Sequence, residues 1–489
     1  MSVSASAVSR VTGVGVQYKN FNAGKASMLP QRLAVIGVGN HGTVYGTDKY
    51  EAEGSAGDIG DRYGYGSPLH IAARQLFPIA GKGASFPVTF YPLAEAEGAI
   101  QAAGSVGCTG TATAVGTGKI IIGGISADYN VAAGDTAAGV LAAMKDAINS
   151  VLDMPASAGE ITDGKLTVTA KAAGTPGNAI TLVVDADIAG LVFDIEIMKN
   201  GAGDPDVDGA LVKIGEIWET AVLNCFDFSD VEKLEKYAIW GKGRWNDLCK
   251  KPVLVFSGCT AAYAVRTAIT DGRPTDYINA LIVSVGSPEL PWAIAAKAMV
   301  NDILTVADSN PAQGYKGLLE GLIAGSDAAQ EGYTVRNNAI NKGSSTNIKN
   351  GSVAELNDVV TMYHPADEGK YPSRRYVVDI IKLMNVVYNC RLIMEADELK
   401  GAPLVSDDTV TSNPTAVQPK TIKTRFLNLA ASLADKAIIQ DTEFTKDGLD
   451  IAIDGENPKR LNVRFPVKLS GNVEVTSTDV YFGFYLGGN

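Results

Sequence analysis

Residues 32–42 read RLAVIGVGNHG. Leu33–Val38 is an apolar run without polar alternation, as expected of a strand buried on both faces. It passes directly into Gly37-x-Gly39-x-x-Gly42, the spacing of a dinucleotide-binding turn. That fingerprint also needs a helix opening at the third glycine and an acidic residue about 20 positions on, closing a second strand. Here Gly42 leads into TVYGTDKYEAEGSAGDIGDRYGYGS, which has no apolar stripe at helical period and is broken repeatedly by glycine. Asp58 lies at a suitable distance, but no apolar strand precedes it. The stretch therefore predicts a buried strand, Leu33–Val38, ending in a glycine-rich loop. A dinucleotide-binding cytoplasmic enzyme is the lesser alternative.

Outward from this strand, residues 31–100 read as mixed α/β. GSPLHIAARQLFP predicts a helix ended by Pro78, with Leu69, Ala72, Ala73 and Leu76 on one face; FPVTFYPLA predicts a strand. From about residue 104 the composition shifts to Gly, Ala, Thr and Val. Strands in GTATAVGTGKIIIGGI precede a helix with Asp135 as N-cap and Val140, Met144, Ile148 and Val151 at helical spacing. Further strands follow in GKLTVTAKAAG and NAITLVVDAD. Residues 104–186 thus predict a small inserted β-α-β domain between two parts of a core α/β domain, 21–103 and 187–370. Within the second part, DVEKLEKYAIWGKGRW and PWAIAAKAMVNDIL predict helices, KPVLVFSG and NALIVSV strands, and Asn350-Gly351 the turn of a hairpin. A C-terminal helix-plus-β domain spans 371–470, with Phe426, Leu429, Ala430 and Leu433 sharing a helix face. Residues 1–20 and 471–489 are expected to be terminal arms. The predicted class is α/β and α+β multidomain, with a mixed-sheet core.

Composition narrows the chemistry. The chain has 489 residues, 53 of them glycine, and a formal charge of −12; its pI is near 4.9. Such length suggests about three domains. Net acidity disfavours direct nucleic-acid binding. The start, MSVSASAVSRVTG, lacks the pattern of a signal peptide, and the apolar windows KIIIGGI and ALIVSV are too short to span a membrane, so a soluble cytoplasmic product without membrane insertion is expected. The five cysteines, Cys108, Cys225, Cys249, Cys259 and Cys390, form no C-x-x-C pair and read as reduced, packed thiols; the odd number leaves room for an intermolecular bridge.

Gly118-Lys119 is followed by Ile120, and Thr113 stands where a P-loop needs glycine. Asp204, Asp206 and Asp208 mimic a calcium loop, but Gly215 stands where its closing glutamate belongs, Glu216 comes one residue late, and Pro205 intrudes. A solvated linker is the expected reading there. His41, His70 and His364 belong to no H-E-x-x-H motif, and no G-x-S-x-G elbow occurs. No catalytic residue, cofactor or metal site is predicted.

In RLNVRFPVKLSGNVEVTSTDVYFGFYLGGN, Leu461, Val463, Phe465, Val467 and Leu469 fall on one face of an expected strand, with Asn462, Arg464 and Lys468 opposite. Val473 and Val475 continue the alternation, and Val480–Leu486 is apolar and aromatic on both faces. A terminal strand of that kind needs cover on both sides, from the chain's own sheet or from a neighbouring subunit.

These segments, in order, resemble the tail sheath proteins of contractile phages in the Mu-like branch. The likeness is carried by LPQRLAVIG, YGYGSPLHIAARQLFP, FYPLAEAEGAIQAAGSVGCTGTATAVGTGKIIIGG, AAGDTAAGVLAAMKDAIN, LTVTAKAAGTPGNAITLVVD, GSPELPWAIAAKAM, NGSVAELNDVV, TRFLNLA and NPKRLNVRFPVKLSGNVEVTSTDVYFGF. The ordered set is specific where no single motif is. The resemblance implies a structural protein rather than an enzyme. It implies hexameric rings stacked helically around a tail tube, with baseplate and tail terminator as further partners. The subunit would be assembled in the host cytoplasm and reside in the virion tail. It also implies terminal arms that add strands to neighbouring subunits, and contraction that drives the tube through the target envelope. Other self-assembling sheaths, of type VI secretion or phage-derived injection devices, are alternatives of the same class. On this reading the inter-subunit contacts fall at Val3, Val8, Val11, Val14 and Val16, and at Val473, Val475, Val480, Phe482 and Phe484, with Arg460 and Arg464 beside the C-terminal strands.

Overall fold

A computed structural model of the protein describes residues 26–369 and 371–483. The chain opens with β1 (Leu33–Val38), the short edge strand β2 (Tyr50–Glu51), helices α1 (Ala56–Tyr63) and α2 (Pro68–Leu76), and β3 (Val88–Leu93). Ser67 caps α2 by accepting from the His70 N–H, Pro68 opens it, and Leu69, Ala72, Ala73 and Leu76 are all buried.

The glycine- and alanine-rich block follows: β4 (Gln101–Gly110), β5 (Gly116–Ile122), β6 (Ile125–Val131), α3 (Ala137–Ser150), β7 (Ala156–Thr162), β8 (Lys165–Ala173), β9 (Leu182–Asp185) and β10 (Leu191–Lys199). It holds a four-stranded sheet, β10-β4-β8-β7, and a three-stranded one, β6-β5-β9. Helix α3 buries Val140, Leu141, Met144 and Ile148. Its N-cap is Thr136, which accepts from Gly139 N–H, rather than the expected Asp135. Asp135 instead accepts from Ala132 N–H in the preceding turn. The expected boundaries 104–186 fall inside β4 and exclude β10, yet β10 pairs along β4 from Leu191↔Gly110 to Lys199↔Ala103. The block closes where Ile100 bridges Ala202. β10 (LVFDIEIMK) carries large and charged residues, so a boundary drawn on composition misses it.

The chain then forms α4 (Asp208–Ile214), β11 (Ala221–Asn224), α5 (Val231–Trp245), β12 (Leu254–Cys259), α6 (Tyr263–Thr270), β13 (Asn279–Val283) and α7 (Pro291–Ala298). The expected PWAIAAKAMVNDIL helix passes through one π-helical turn, Met299–Ile303, before α8 (Leu304–Ser309). Helix α9 (Tyr333–Asn341) precedes the hairpin β14 (Thr346–Asn350) and β15 (Val353–Asp358).

The main sheet runs β13-β12-β11-β1-β3-β2. All pairings are parallel except that of β2 with β3. Every residue of β1, β3, β11, β12 and β13 is buried, as a sheet covered by helices on both faces requires. Ala34, Ile36 and Val38 face a cluster with Ala210, Leu211 and Ile214 of α4 and Tyr237 of α5. The opposite face, at Gly37, meets Leu69 of α2. The chain leaves β1 for β3 on one side and returns to β11 on the other. This is a doubly wound sheet with its switch point between β1 and β11.

Helix α10 (Val377–Met394), α11 (Pro419–Asp435), β16 (Ile439–Gln440), α12 (Thr442–Gly448), β17 (Asp450–Ile453), β18 (Leu461–Arg464) and β19 (Lys468–Leu469) complete the chain. Two compact units result. The sheet unit contains residues 28–384 and 471–483; a smaller unit contains 26–27 and 385–470. In the smaller unit Phe426, Leu429, Ala430 and Leu433 are buried on α11, and the Phe426 and Phe465 rings meet edge-on at 5.1 Å. The expected single strand through Leu461–Leu469 is two strands with different partners: β18 pairs with β17, and β19 with β16. Pro466 lies between them and has no N–H to continue a ladder. The expected inside–outside alternation is kept: Leu461 and Val463 are half-buried, and Asn462 and Arg464 exposed.

Candidate assembly surface

The glycine loop after β1 lies at the switch point, where open α/β sheets bind ligands. Its backbone donors are engaged within the chain. Gly39 N–H donates to Tyr45 Oη at 2.9 Å, and that hydroxyl donates to the Leu93 carbonyl at 2.9 Å. Asn40 N–H donates to Tyr63 O and His41 N–H to Lys171 O, each at 2.8 Å. These are donors a bound pyrophosphate would need. The three glycines answer different local demands. A Cβ on Gly37 would stand 2.9 Å from Cys225 Cβ, and one on Gly39 would stand 2.5 Å from the Tyr45 ring. Gly42 has open space but a φ of +70°. The fingerprint is thus met by packing and turn geometry.

The Asp204–Asp208 stretch is no solvated linker at its first residue. Asp204 is half-buried, its side chain only 5% exposed, and it accepts from Thr175 N–H at 2.6 Å, with Lys233 Nζ at 3.5 Å. Asp206 and Asp208 both pair with Lys236. Lysines of α5 thereby offset the acidic run that resembled a calcium loop. All five cysteines are free thiols, with Cys108, Cys225 and Cys259 buried.

The inserted block meets α2 and the segment before α7 along a polar seam. Arg74 Nε lies 3.1 Å from Asp153 Oδ2, and His70 Nε2 lies 3.7 Å from Asp153 Oδ1. Burial pushes His70 down to about 4, so the ring is neutral at ordinary pH. The β5–β6 turn is Gly123-Gly124, both with positive φ as a type I′ hairpin requires. A Cβ on Gly124 would stand 1.9 Å from Glu289 Oε2. Glu289 accepts from Ile323 N–H at 2.8 Å, and burial pushes its carboxyl up to about 7.

Of the expected inter-subunit residues, Val3, Val8, Val11, Val14, Val16 and Phe484 lie outside the described residues. The others stand in solvent: Val473 is 78% exposed, Val475 80%, Val480 76% and Phe482 95%. Residues 470–483 belong to no strand. Arg460 Nε lies 3.9 Å from Asp454 Oδ2 of its own chain, and Arg464 is exposed.

Two sets of residues that the sequence reading missed hold the roots of these ends. In the smaller unit Ser27 N–H donates to Asn389 Oδ1 at 2.7 Å, and Asn389 Nδ2 returns a bond to Ser27 O at 2.8 Å. Ala26 N–H donates to Ser432 Oγ at 2.9 Å. In the sheet unit Asn472 Nδ2 donates to Ala312 O at 2.8 Å, and Lys382 Nζ donates to Asn472 Oδ1 at 2.7 Å. Lys316 Nζ lies 3.0 Å from Glu474 Oε2. The readable signal is the polar half of Asn472-Val473-Glu474-Val475, which alternates with the valines.

No family model matches the chain. A Mu-like prophage FluMu tail sheath protein of Haemophilus influenzae is 29% identical over 411 residues, 82% of each chain. The chain is similar to a Mu-like tail sheath protein. The resemblance read from the ordered motifs is therefore present as sequence identity along most of the chain. Among solved structures, a sheath tail protein of Desulfitobacterium hafniense aligns over 90% of this chain and 93% of its own, with a TM-score of 0.45 and 13% identity. A sheath tail protein of Listeria innocua aligns over 92% and 94%, with a TM-score of 0.48 and 12% identity.

Proposed function

We propose that the chain is the structural subunit of a contractile tail sheath. The observation that carries this reading is the 29% identity to a tail sheath protein along 82% of both chains. On this reading copies assemble as hexameric rings stacked around a tail tube, between baseplate and tail terminator. They then shorten to drive the tube through a target envelope and deliver the genome. The engaged donors of the Gly37–Gly42 loop favour a structural subunit over a dinucleotide enzyme.

The link between copies is strand addition by the terminal segments. Residues 473–482 present apolar side chains to solvent without a strand partner among the described residues. Joining an open sheet edge of another copy satisfies their N–H and C=O groups and covers that surface. With each net hydrogen bond contributing about 0.5–1.5 kcal/mol, a short strand and its side chains hold on the order of 5–10 kcal/mol. The contact is head-to-tail, so it propagates into a tube.

The test is electron microscopy of the overexpressed chain and of one lacking residues 475–489. The full chain should form hollow tubes or stacked rings. The truncated chain should be folded by circular dichroism and remain unassembled. Normal tubes from the truncated chain would rule out the C-terminal link.

A further inference from the structure

Alternation in the C-terminal segment is inside-out. Asn472 and Glu474 turn toward their own sheet unit and are half-buried, whereas Val473 and Val475 point into solvent. A strand completing its own chain's core does the opposite. We propose that Asn472 and Glu474 are a positioning anchor that pins the segment's root in cis and so turns its valine face outward for pairing with another copy of this chain. The identity of that partner rests on the sheath reading; the anchor does not.

The anchor is built from buried charge. Lys382 is fully buried, and its ammonium reaches Asp379 Oδ1 at 3.2 Å and Asn472 Oδ1 at 2.7 Å. A lysine is left buried only where such partners compensate for lost water. Glu474 lines a small cleft with Tyr315, Lys316, Asp358 and Tyr376. Burial holds the carboxyls of Asp358 and Asp379 above the usual range, and the charge of Glu474 adds to the shift in both. Glu474 therefore enters a site already rich in carboxylates, with Lys316 as its counter-charge. Such a contact is specific yet of modest strength, as suits a root that sets the direction in which the following residues leave the sheet unit.

Cleavage of the full chain by a glutamate-specific protease reads this anchor at the Glu474–Val475 bond. That bond must leave the cleft before it can be cut, so the rate tracks the open population. Lys316→Ala and Asn472→Ala should each be cut about tenfold faster than wild type. Lys316 is half exposed, so its loss spares the fold. Lys349→Ala removes a surface pair with Asp327 and should be cut at the wild-type rate. Equal rates in wild type and the anchor variants, or wild-type cleavage as fast as in denatured chain, would overturn the anchor. In assembly, the anchor variants should give shorter or irregular tubes; tubes matching wild type would overturn the positioning role. Slow cleavage in a wild-type chain that forms no tubes would support the anchor and overturn the sheath reading.

Discussion

A methyl group at Gly37 would meet Cys225 Cβ at 2.9 Å and Leu69 Cδ2 at 3.0 Å. Both neighbours are fixed by the sheet and by α2, so Gly37→Ala should cost about 1–3 kcal/mol, measured by chemical denaturation. A phosphate-binding glycine would instead cost affinity and leave stability nearly untouched. Glu289 tests the seam. Its carboxyl is raised by burial to about 7 in the fold, against a usual value of about 4.3. The native state therefore binds the extra proton. The stability this contributes is complete below the unfolded value and is lost as pH rises through about 7. Glu289→Gln should raise the melting temperature at pH 8 and leave it unchanged at pH 4.5. A uniform shift at both values would mean the charge is not the cause.

At the scale of elements, legibility followed the strength and locality of the signal. Leu33–Val38 was readable because a six-residue apolar run has one reading as a buried strand, and the face Phe426, Leu429, Ala430, Leu433 because it recurs at helical spacing. The extent of the inserted block was not readable, since β10 is bound to β4 by pairing across the whole block and not by likeness of composition. Pro466 was visible, yet the alternation around it outweighed its missing donor. The anchor escaped because Asn472 and Glu474 acquire meaning only beside Ala312, Lys316 and Lys382, far away in sequence. The revised boundaries also change what can be deleted. Removing 105–185 would cut β4 and orphan β10, whereas Ala99 and Gly203 already lie against each other. Deleting 99–204 across a short glycine linker should leave the parallel sheet folded, because β1, β3 and β11 pair directly. Circular dichroism and electron microscopy should find a less heat-stable chain that still assembles; loss of assembly would make the block part of the contact surface.

The whole molecule threads its two units in an uneven way. Residues 26–27 are tied to the smaller unit through Asn389 and Ser432, while residues 472–474 are tied to the sheet unit through Ala312, Lys316 and Lys382. Tension applied at residue 475 is therefore resisted first by one ion pair and the two hydrogen bonds of a single asparagine, and it passes into the sheet unit through the loop at 312–316 and helix α10. Tension applied upstream of residue 26 loads Asn389 and Ser432 instead. In a pulled array the two ends of each copy would yield as separate fuses, and a copy that lost its grip at one end would still bear load at the other.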